Sequence, residues 1–269
     1  MSLQQEIIAR LGVQPEIDVD QEIRKRVDFL KDYVLKTDVS GLLIAISGGI
    51  DSAVAAGLCQ QATDELTAEQ GKEYKTVGVF QPYSTQEDIE DSYATARAFN
   101  MKHQVETNIE DAVDEIGILT EYGMKQIGVH QHISRAGKGN VKARTRMVVQ
   151  YALAFDLNLL VVGTDHASEA ITGFYTKWGD GAVDITPLST LNKRQVRMVA
   201  AKIGVPQSIL DKAPTAGLWD GQTDEGELGI TYEDNSNYLE GKQIAPEIQE
   251  KLERQYMKTE HKRSAIPGI

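Results

Sequence analysis

Residues 42–46 (LLIAI) form an unbroken apolar run that stops at Ser47-Gly48-Gly49. A small-residue run, 53–58 (AVAAGL), begins almost at once. A short apolar run bounded by a turn signal reads as a buried strand, so the segment predicts strand, tight loop, helix, the helix reaching about Leu66. Upstream, Ile23, Val27, Leu30, Tyr33 and Val34 fall at helical spacing and predict an amphipathic helix over 18–36. The rhythm then repeats. Residues 76–80 (TVGVF) predict a second strand closed by Gln81-Pro82, and the acid-rich stretch 83–91 opens a helix leading to Ala94, Ala98 and Phe99. A weaker third strand follows at 103–107, then a loop and short helix over 109–118, and a polar, glycine-rich stretch over 123–139. A long helix runs from 139 to about 154, and residues 158–164 are the clearest buried strand after the first. The stretch 173–182 has too much glycine and aromatic content for a regular element and reads as a loop that orders over a ligand. Further helices are expected over 195–203, closed by Gly204-Val205-Pro206, over 233–241, and from Pro246 to about 259. A short helix precedes Lys212, and a Gly- and acid-rich loop then runs to Leu228. Residues 260–263 show no core pattern. Strands alternating with helices predict an α/β fold, a doubly wound, mainly parallel sheet flanked by helices in the Rossmann-like manner. With no repeat or linker, one domain over 1–269 is the economical reading, its N- and C-terminal helices packed on one α/β core.

The loop at 47–49 is an anion cradle on physical grounds. Amides at a helix start are unpaired and carry the positive end of the helix dipole, and glycine lets an anion approach the backbone. It is not a Walker A loop, because Asp51 stands where that loop has lysine. An acid beside phosphate calls for a cation between them, which points to Mg²⁺. The alternative is a βα turn in which Asp51 complements the helix dipole and Ser47 or Ser52 caps it. The segment Thr164-Asp165-His166-x-x-Glu169 lies at the end of the later strand. In a parallel sheet both segments occupy carboxyl ends, so they can share one metal ion. An arginine near a helix start, as Arg144 is expected to be, works against the dipole, which implies a partner elsewhere; Tyr151 falls two turns on, on a similar face. His130 and His132 lack a third ligand, so no metal is expected there.

Composition narrows the class. A net charge of −12 argues against a protein that coats nucleic acid, although basic residues cluster at Lys138, Lys142, Arg144 and Arg146 and again at Lys258, His261, Lys262 and Arg263. The one cysteine, Cys59, excludes an intramolecular disulfide and a Cys-rich zinc site. With no signal pattern and no membrane-length apolar run, a soluble cytoplasmic protein is expected, with neither nucleic acid nor membrane as partner.

Ser47-Gly48-Gly49-Ile50-Asp51-Ser52 resembles the SGGxDS signature of the ATP pyrophosphatase group, which implies that group's type of α/β fold. Within the group the chain is similar to the ammonia-dependent NAD⁺ synthetase family over nearly its whole length. The similarity runs through Pro82-Tyr83-x-x-Gln86, Gly139-Asn140-Val141-Lys142-Ala143-Arg144-x-Arg146-Met147, Gly163-Thr164-Asp165-His166-x-x-Glu169 and Thr172-Gly173-Phe174-Tyr175-Thr176-Lys177-x-Gly179-Asp180-Gly181. It continues through Lys212-x-Pro214-Thr215-Ala216 and Glu260-His261-Lys262-Arg263. The resemblance implies an enzyme, a ligase that adenylates the nicotinate carboxylate of deamido-NAD⁺ with ATP, releases pyrophosphate, and lets ammonia displace AMP to give NAD⁺. Matched by position, Ala45, Ile46, Ser47, Gly48, Gly49, Ile50, Asp51 and Ser52 would hold the triphosphate, and Gln86, Thr164, Lys193 and Thr215 would contact ATP. Asp51 and Glu169 would bind Mg²⁺; Arg144, Lys177, Asp184, His261 and Lys262 would contact deamido-NAD⁺. Ammonia is mostly protonated at neutral pH, so the second step needs a proton acceptor, for which Asp180 is the candidate. A homodimer with the dinucleotide site near the subunit interface is implied as well.

The chain departs from the family pattern at Phe80-Gln81, where many members carry an arginine. The loop around Gly217–Glu225 looks shorter than in some relatives. Glutamine-dependent relatives add an amidase domain with a Cys nucleophile, for which this chain has neither the length nor a suitable cysteine. A nucleotide-sensing binding protein is the competing class. It would need only the first loop and could dispense with Glu169 and the 177–184 segment, yet both are intact.

Overall fold

The structure, a computed structural model, describes residues 2–86, 88–212 and 224–269. Four strands, β1 (Gly41–Ala45), β2 (Lys75–Phe80), β3 (His103–Glu106) and β4 (Leu159–Val162), form one sheet in the order β3-β2-β1-β4. Every pairing is parallel, with Leu43 aligned to Val77 on one side and to Val161 on the other. Because β2 and β3 extend from one edge of β1 and β4 from the other, the strand order reverses at β1. A crevice therefore opens beyond the carboxyl ends of β1 and β4.

The pleat sends alternate β1 side chains to opposite faces. Leu42 and Ile44 face a core built with α2 (Val19–Thr37), α3 (Ile50–Gln70) and α8 (Lys193–Ile203), through Val27, Leu30, Val54, Leu58, Val196 and Val199. Leu43, with Val77, Val79 and Val161, packs under α6 (Arg135–Leu157), which contributes Ala154 and partly buried Tyr151 and Leu153. A third cluster surrounds α7 (Ala167–Thr172). There Ala167 and Ile171 meet Ile7 of α1 (Leu3–Leu11), Tyr238 and Leu239 of α11 (Tyr232–Leu239), and Leu252 and Tyr256 of α12 (Pro246–Lys258). The remaining helices are α4 (Ile89–Ala98), α5 (Glu110–Gln126), α9 (Gln207–Leu210), α10 (Asp224–Leu228) and α13 (Glu260–Arg263). No described helix is long and apolar enough to cross a membrane.

The parallel α/β architecture matches the sequence reading, and the differences lie in helices. α1 was not expected; a capping box between Ser2 and Gln5 starts it, and burial of Ile7 holds it. The short helix expected over 109–118 is the seventeen-residue α5. Gly117 and Gly123 do not stop it, because packing along α6 outweighs the roughly 1 kcal/mol that an internal glycine costs. α6 starts at Arg135, where Ser134 accepts the Gly137 amide at 3.0 Å, so Arg144 sits in the third turn and the argument from the helix dipole does not apply to it. α3 continues past Leu66 to Gln70, and residues 224–228 are helical where a loop was expected.

Gly41, where β1 enters the sheet, has φ +149°, and a Cβ built there would lie 1.9 Å from the Lys75 carbonyl oxygen. Gly41→Ala is expected to destabilise the protein by about 2–4 kcal/mol, because the clash is with the backbone of β2. A urea unfolding midpoint equal to wild type would refute this.

Candidate functional site

The Ser47–Ser52 loop leaves the carboxyl end of β1, whose course continues as the Ile46 amide donates to Val79 O at 2.9 Å. Gly48 has φ +81°, so the loop turns through a conformation that glycine tolerates and other residues rarely adopt. Ser52, buried in the first turn of α3, organises the loop: its Oγ donates to Gly49 O (2.9 Å), accepts from the Ser47 amide (3.2 Å) and lies 3.1 Å from Ser47 Oγ. Gly49 is the N-cap of α3, and no side chain caps the helix. Neither Ser47 nor Ser52 fills the capping role that the alternative reading gave them. The first amides of a twenty-one-residue helix are thus left for an anion. Gln86 braces the loop from outside, its Nε2 reaching Ser47 O at 3.3 Å.

Asp51 meets residues from two later elements. Lys193 Nζ lies 2.6 Å from Asp51 Oδ2, and its side chain is 3% exposed. Lys193 is placed by the buried start of α8: Asn192 and Gln195 form a capping box, Asn192 Nδ2 donates to Glu240 Oε1 (3.0 Å), and the Lys193 amide donates to Ser168 Oγ (3.0 Å). His166, fully buried, is the N-cap of α7, its Nδ1 accepting the Glu169 amide at 3.4 Å. The other ring nitrogen, Nε2, sits 3.4 Å from Asp51 Oδ1, 3.4 Å from Lys193 Nζ and 3.7 Å from Glu169 Oε2. His166 therefore faces both carboxylates and the Lys193 ammonium at once. Its spacing of three from Glu169 at a strand end was the signal in the sequence, which gave His166 no role of its own.

Burial alone would raise the Asp51 carboxyl, but Lys193 and His166 outweigh it and hold the group well below the usual carboxylate range. Glu169 goes the other way, pushed up to about 8 chiefly by burial. Asp165, at the same strand end, is also raised, by burial and then by Asp180 and Asp51. Asp51, His166 and Glu169 offer ligand atoms within 4.8 Å of one another, and Asp51 Oδ1 is buried with no hydrogen-bond partner. An orphaned carboxylate oxygen beside a second carboxylate deficient in positive charge fits a hard cation that takes oxygen ligands. His130 and His132 join no such group among the described residues; His132 pairs with Glu121 at 3.2 Å.

The residues matched to deamido-NAD⁺ gather around the 173–184 segment. Arg144 Nη2 donates to Lys177 O (3.1 Å), and Tyr151 OH donates to Asp184 Oδ1 (3.2 Å), so both α6 side chains face this segment. Asp184 Oδ2 also accepts the Val161 amide at 2.8 Å, tying the segment to the edge of β4. Lys177 Nζ donates to His261 O (2.6 Å), while Lys262 Nζ donates to the Gly173 and Tyr175 carbonyls (both 2.6 Å). The tail without a core pattern is thus fastened across the loop by hydrogen bonds, which apolar periodicity does not register. Asp180 Oδ1 accepts the Thr176 amide at 2.9 Å, yet the protein crowded around its carboxyl still raises it. Thr164 lies just beyond β4, and Thr215 falls outside the described residues. At Phe80-Gln81, where the sequence departs from the pattern it resembles, buried Gln81 ties β2 to α6: its Nε2 donates to Arg146 O (3.2 Å), its Oε1 accepts from Gln150 Nε2 (2.8 Å), and its backbone carbonyl accepts from Arg146 Nε (3.0 Å).

Comparison with known proteins finds relatives over nearly the whole chain. The chain is 44% identical over 263 residues to the NH(3)-dependent NAD(+) synthetase of Exiguobacterium sibiricum, covering 97% of this chain and 95% of that one. It is 45% identical over 266 residues to the protein of the same name from Bacillus cereus, covering 98% and 96%. Among solved structures, an NAD+ synthetase from Burkholderia pseudomallei superposes with a TM-score of 0.82 at 34% identity, over 97% of this chain and 95% of that one. An NMN synthetase from Francisella tularensis gives 0.83 at 34% identity, over 94% and 99%. The family model described as NAD synthase matches residues 22–266, and the chain belongs to the NAD synthase family.

Proposed function

We infer that the protein is a ligase that forms a C–N bond, converting deamido-NAD⁺, ammonia and ATP into NAD⁺, AMP and pyrophosphate. The observation that carries this reading is the uncapped start of α3 beside the buried Asp51–Lys193–His166–Glu169 cluster, at the point where the strand order reverses. In the first step the nicotinate carboxylate attacks the α-phosphate of ATP and pyrophosphate leaves. An anion then approaches a polyanion, and the free amides of α3 with the ammonium of Lys193 supply fixed positive potential where charge accumulates. Asp51 and Glu169 would hold Mg²⁺, which supplies charge neutralisation at the phosphates. Gln86, Thr164 and Thr215 complete the ATP side in this proposal. Arg144, Lys177, Asp184, His261 and Lys262 hold the dinucleotide acid. Asp180, raised but anchored by the Thr176 amide, takes the proton from the incoming ammonium. The 173–184 segment excludes water, which would hydrolyse the acyl adenylate.

The proposal extends to one domain over 1–269, a cytoplasmic location in keeping with ATP dependence, and a homodimer. Support for the dimer comes from apolar side chains on the outer faces of α5 and α6: Ile118, Leu119 and Tyr122 on one, Val148 and Phe155 on the other, with Phe155 87% exposed. Val148 and Phe155 lie two turns apart on one stripe, and exposed large apolar side chains repeated on a helix face are what an interface would cover.

The reaction is tested by mixing protein, ATP, Mg²⁺ and deamido-NAD⁺ with either ammonium or glutamine and following NAD⁺ and AMP. NAD⁺ is expected with ammonium; none with either nitrogen source sinks the enzyme reading, and equal rates with glutamine sink the ammonia assignment. Nicotinate mononucleotide offered in place of deamido-NAD⁺ should be the poorer acid by kcat/KM, and the reverse preference would reassign the substrate. Asp51→Asn and Glu169→Gln should each raise the Mg²⁺ concentration for half-maximal rate by about tenfold or more, whereas Asp180→Asn should lower kcat by about a hundredfold with the ATP KM little changed. A Mg²⁺ titration unmoved by either carboxylate variant places the metal elsewhere. Phe155→Glu should turn a dimer into a monomer by light scattering, and an unaltered mass would remove the α5–α6 face from consideration.

A further inference from the structure

Lys212, just beyond α9, ties the phosphate loop to the first turn of α4. Its Nζ donates to Gly48 O (3.4 Å), to Asp91 Oδ2 (3.0 Å) and to Asp88 Oδ2. The other oxygen of Asp88 accepts from Gln86 Nε2 (2.8 Å), the same amide nitrogen that reaches Ser47 O. Asp91 Oδ1 accepts from Ser208 Oγ of α9 at 3.3 Å. The loop backbone rests directly on α4: a Cβ built at Gly48 would lie 3.1 Å from Asp88 O and 3.2 Å from Ser92 Oγ.

Two consecutive carbonyls of the loop are therefore engaged, Ser47 O by Gln86 and Gly48 O by Lys212. In a planar trans peptide the C=O of one residue and the N–H of the next point in opposite directions. Fixing these two carbonyls on the α4 side turns the Gly48 and Gly49 amides away from it. The charge on Lys212 has a second consequence. Asp88 and Asp91 stand beside a loop read as holding a polyanion, and left uncompensated they would repel it. Burial would lower the Lys212 ammonium, but the two carboxylates more than offset this and keep it charged.

We propose that Lys212 is a positioning residue for ATP: its ammonium, shared between Asp88, Asp91 and the Gly48 carbonyl, fixes the phosphate-loop peptides and screens both carboxylates from the triphosphate. The assignment rests on the proposed reading of residues 45–52 as the ATP site. It also gives a use to the acid-rich first turn of α4 and to the lysine of the Lys212-x-Pro214-Thr215 motif, for which the sequence supplied no role.

Steady-state constants of Lys212→Met and Lys212→Arg test it, with melting temperatures taken on the same samples. Lys212→Met should raise the KM for ATP by about tenfold while the KM for deamido-NAD⁺ stays within about twofold, and Lys212→Arg, which keeps the charge, should return the ATP KM to within about threefold of wild type. If Lys212→Met yields no folded protein, Lys212→Gln carries the same comparison with a neutral donor. An unchanged ATP KM in the neutral variant, or an equal rise for both substrates, overturns the positioning role. Wild-type protein that makes no NAD⁺ from ATP overturns the proposed function beneath it, whereas active wild type with an unaffected neutral variant overturns the Lys212 assignment alone.

Discussion

The buried ion pair between Lys193 and Asp51 is the interaction on which the site depends. Two charges withdrawn from water cost several kcal/mol each unless their geometry and remaining hydrogen bonds are satisfied, and removing one partner of such a pair costs about 3–5 kcal/mol. Here α3 brings the carboxylate and α8 brings the ammonium, from positions 142 residues apart, while His166 Nε2, at the start of α7, lies 3.4 Å from the other carboxylate oxygen. The pair can form only when the phosphate loop, the end of β4 and the buried start of α8 are all in register. Assembly of the crevice is thereby linked to assembly of the core.

Each hydrophobic cluster positions one part of that crevice. The cluster under α2, α3 and α8 fixes Asp51 and Lys193, the smaller one under α6 fixes the strand ends and the side of α6 bearing Arg144 and Tyr151, and the third holds α7 with His166 and Glu169. A residual tension remains among the charges. Lys193 is committed to Asp51, and burial first, then the neighbouring carboxylates, raises the carboxyls of Glu169 and Asp165 beyond what the nearby cations offset. A site poor in cations at a buried pair of carboxylates is poised to accept one.

Much of the fold was legible because its signals are local. The runs at 42–46, 76–80 and 158–164 are short and apolar and end at turn residues, so strands β1, β2 and β4 appear where the pattern places them. The helices that were missed, or read too short, are those whose stability is not local. α1 is short and rests on Ile7 reaching a distant cluster, and α5 carries internal glycines that only its packing along α6 offsets. Arg144 was singled out for the wrong physical reason, its supposed place at a helix start, and the 173–184 segment it meets was legible only as a loop.

The sequence by itself determined the chemistry on offer: an SGGxDS turn between strand and helix, a second acidic strand end, and a glycine- and aromatic-rich loop with matching basic residues. These follow from residue identity and short spacing, which a linear chain carries in full. Tertiary structure decided how the pieces are used. It made Ser52 a brace instead of a cap, set His166 beside two carboxylates, turned Gln81 into a tie between β2 and α6, and fastened the residues after α12 across the loop through Lys262. Hydrogen bonds and ion pairs between residues far apart in the chain leave no periodicity in it, so only the folded arrangement reveals which partners they join.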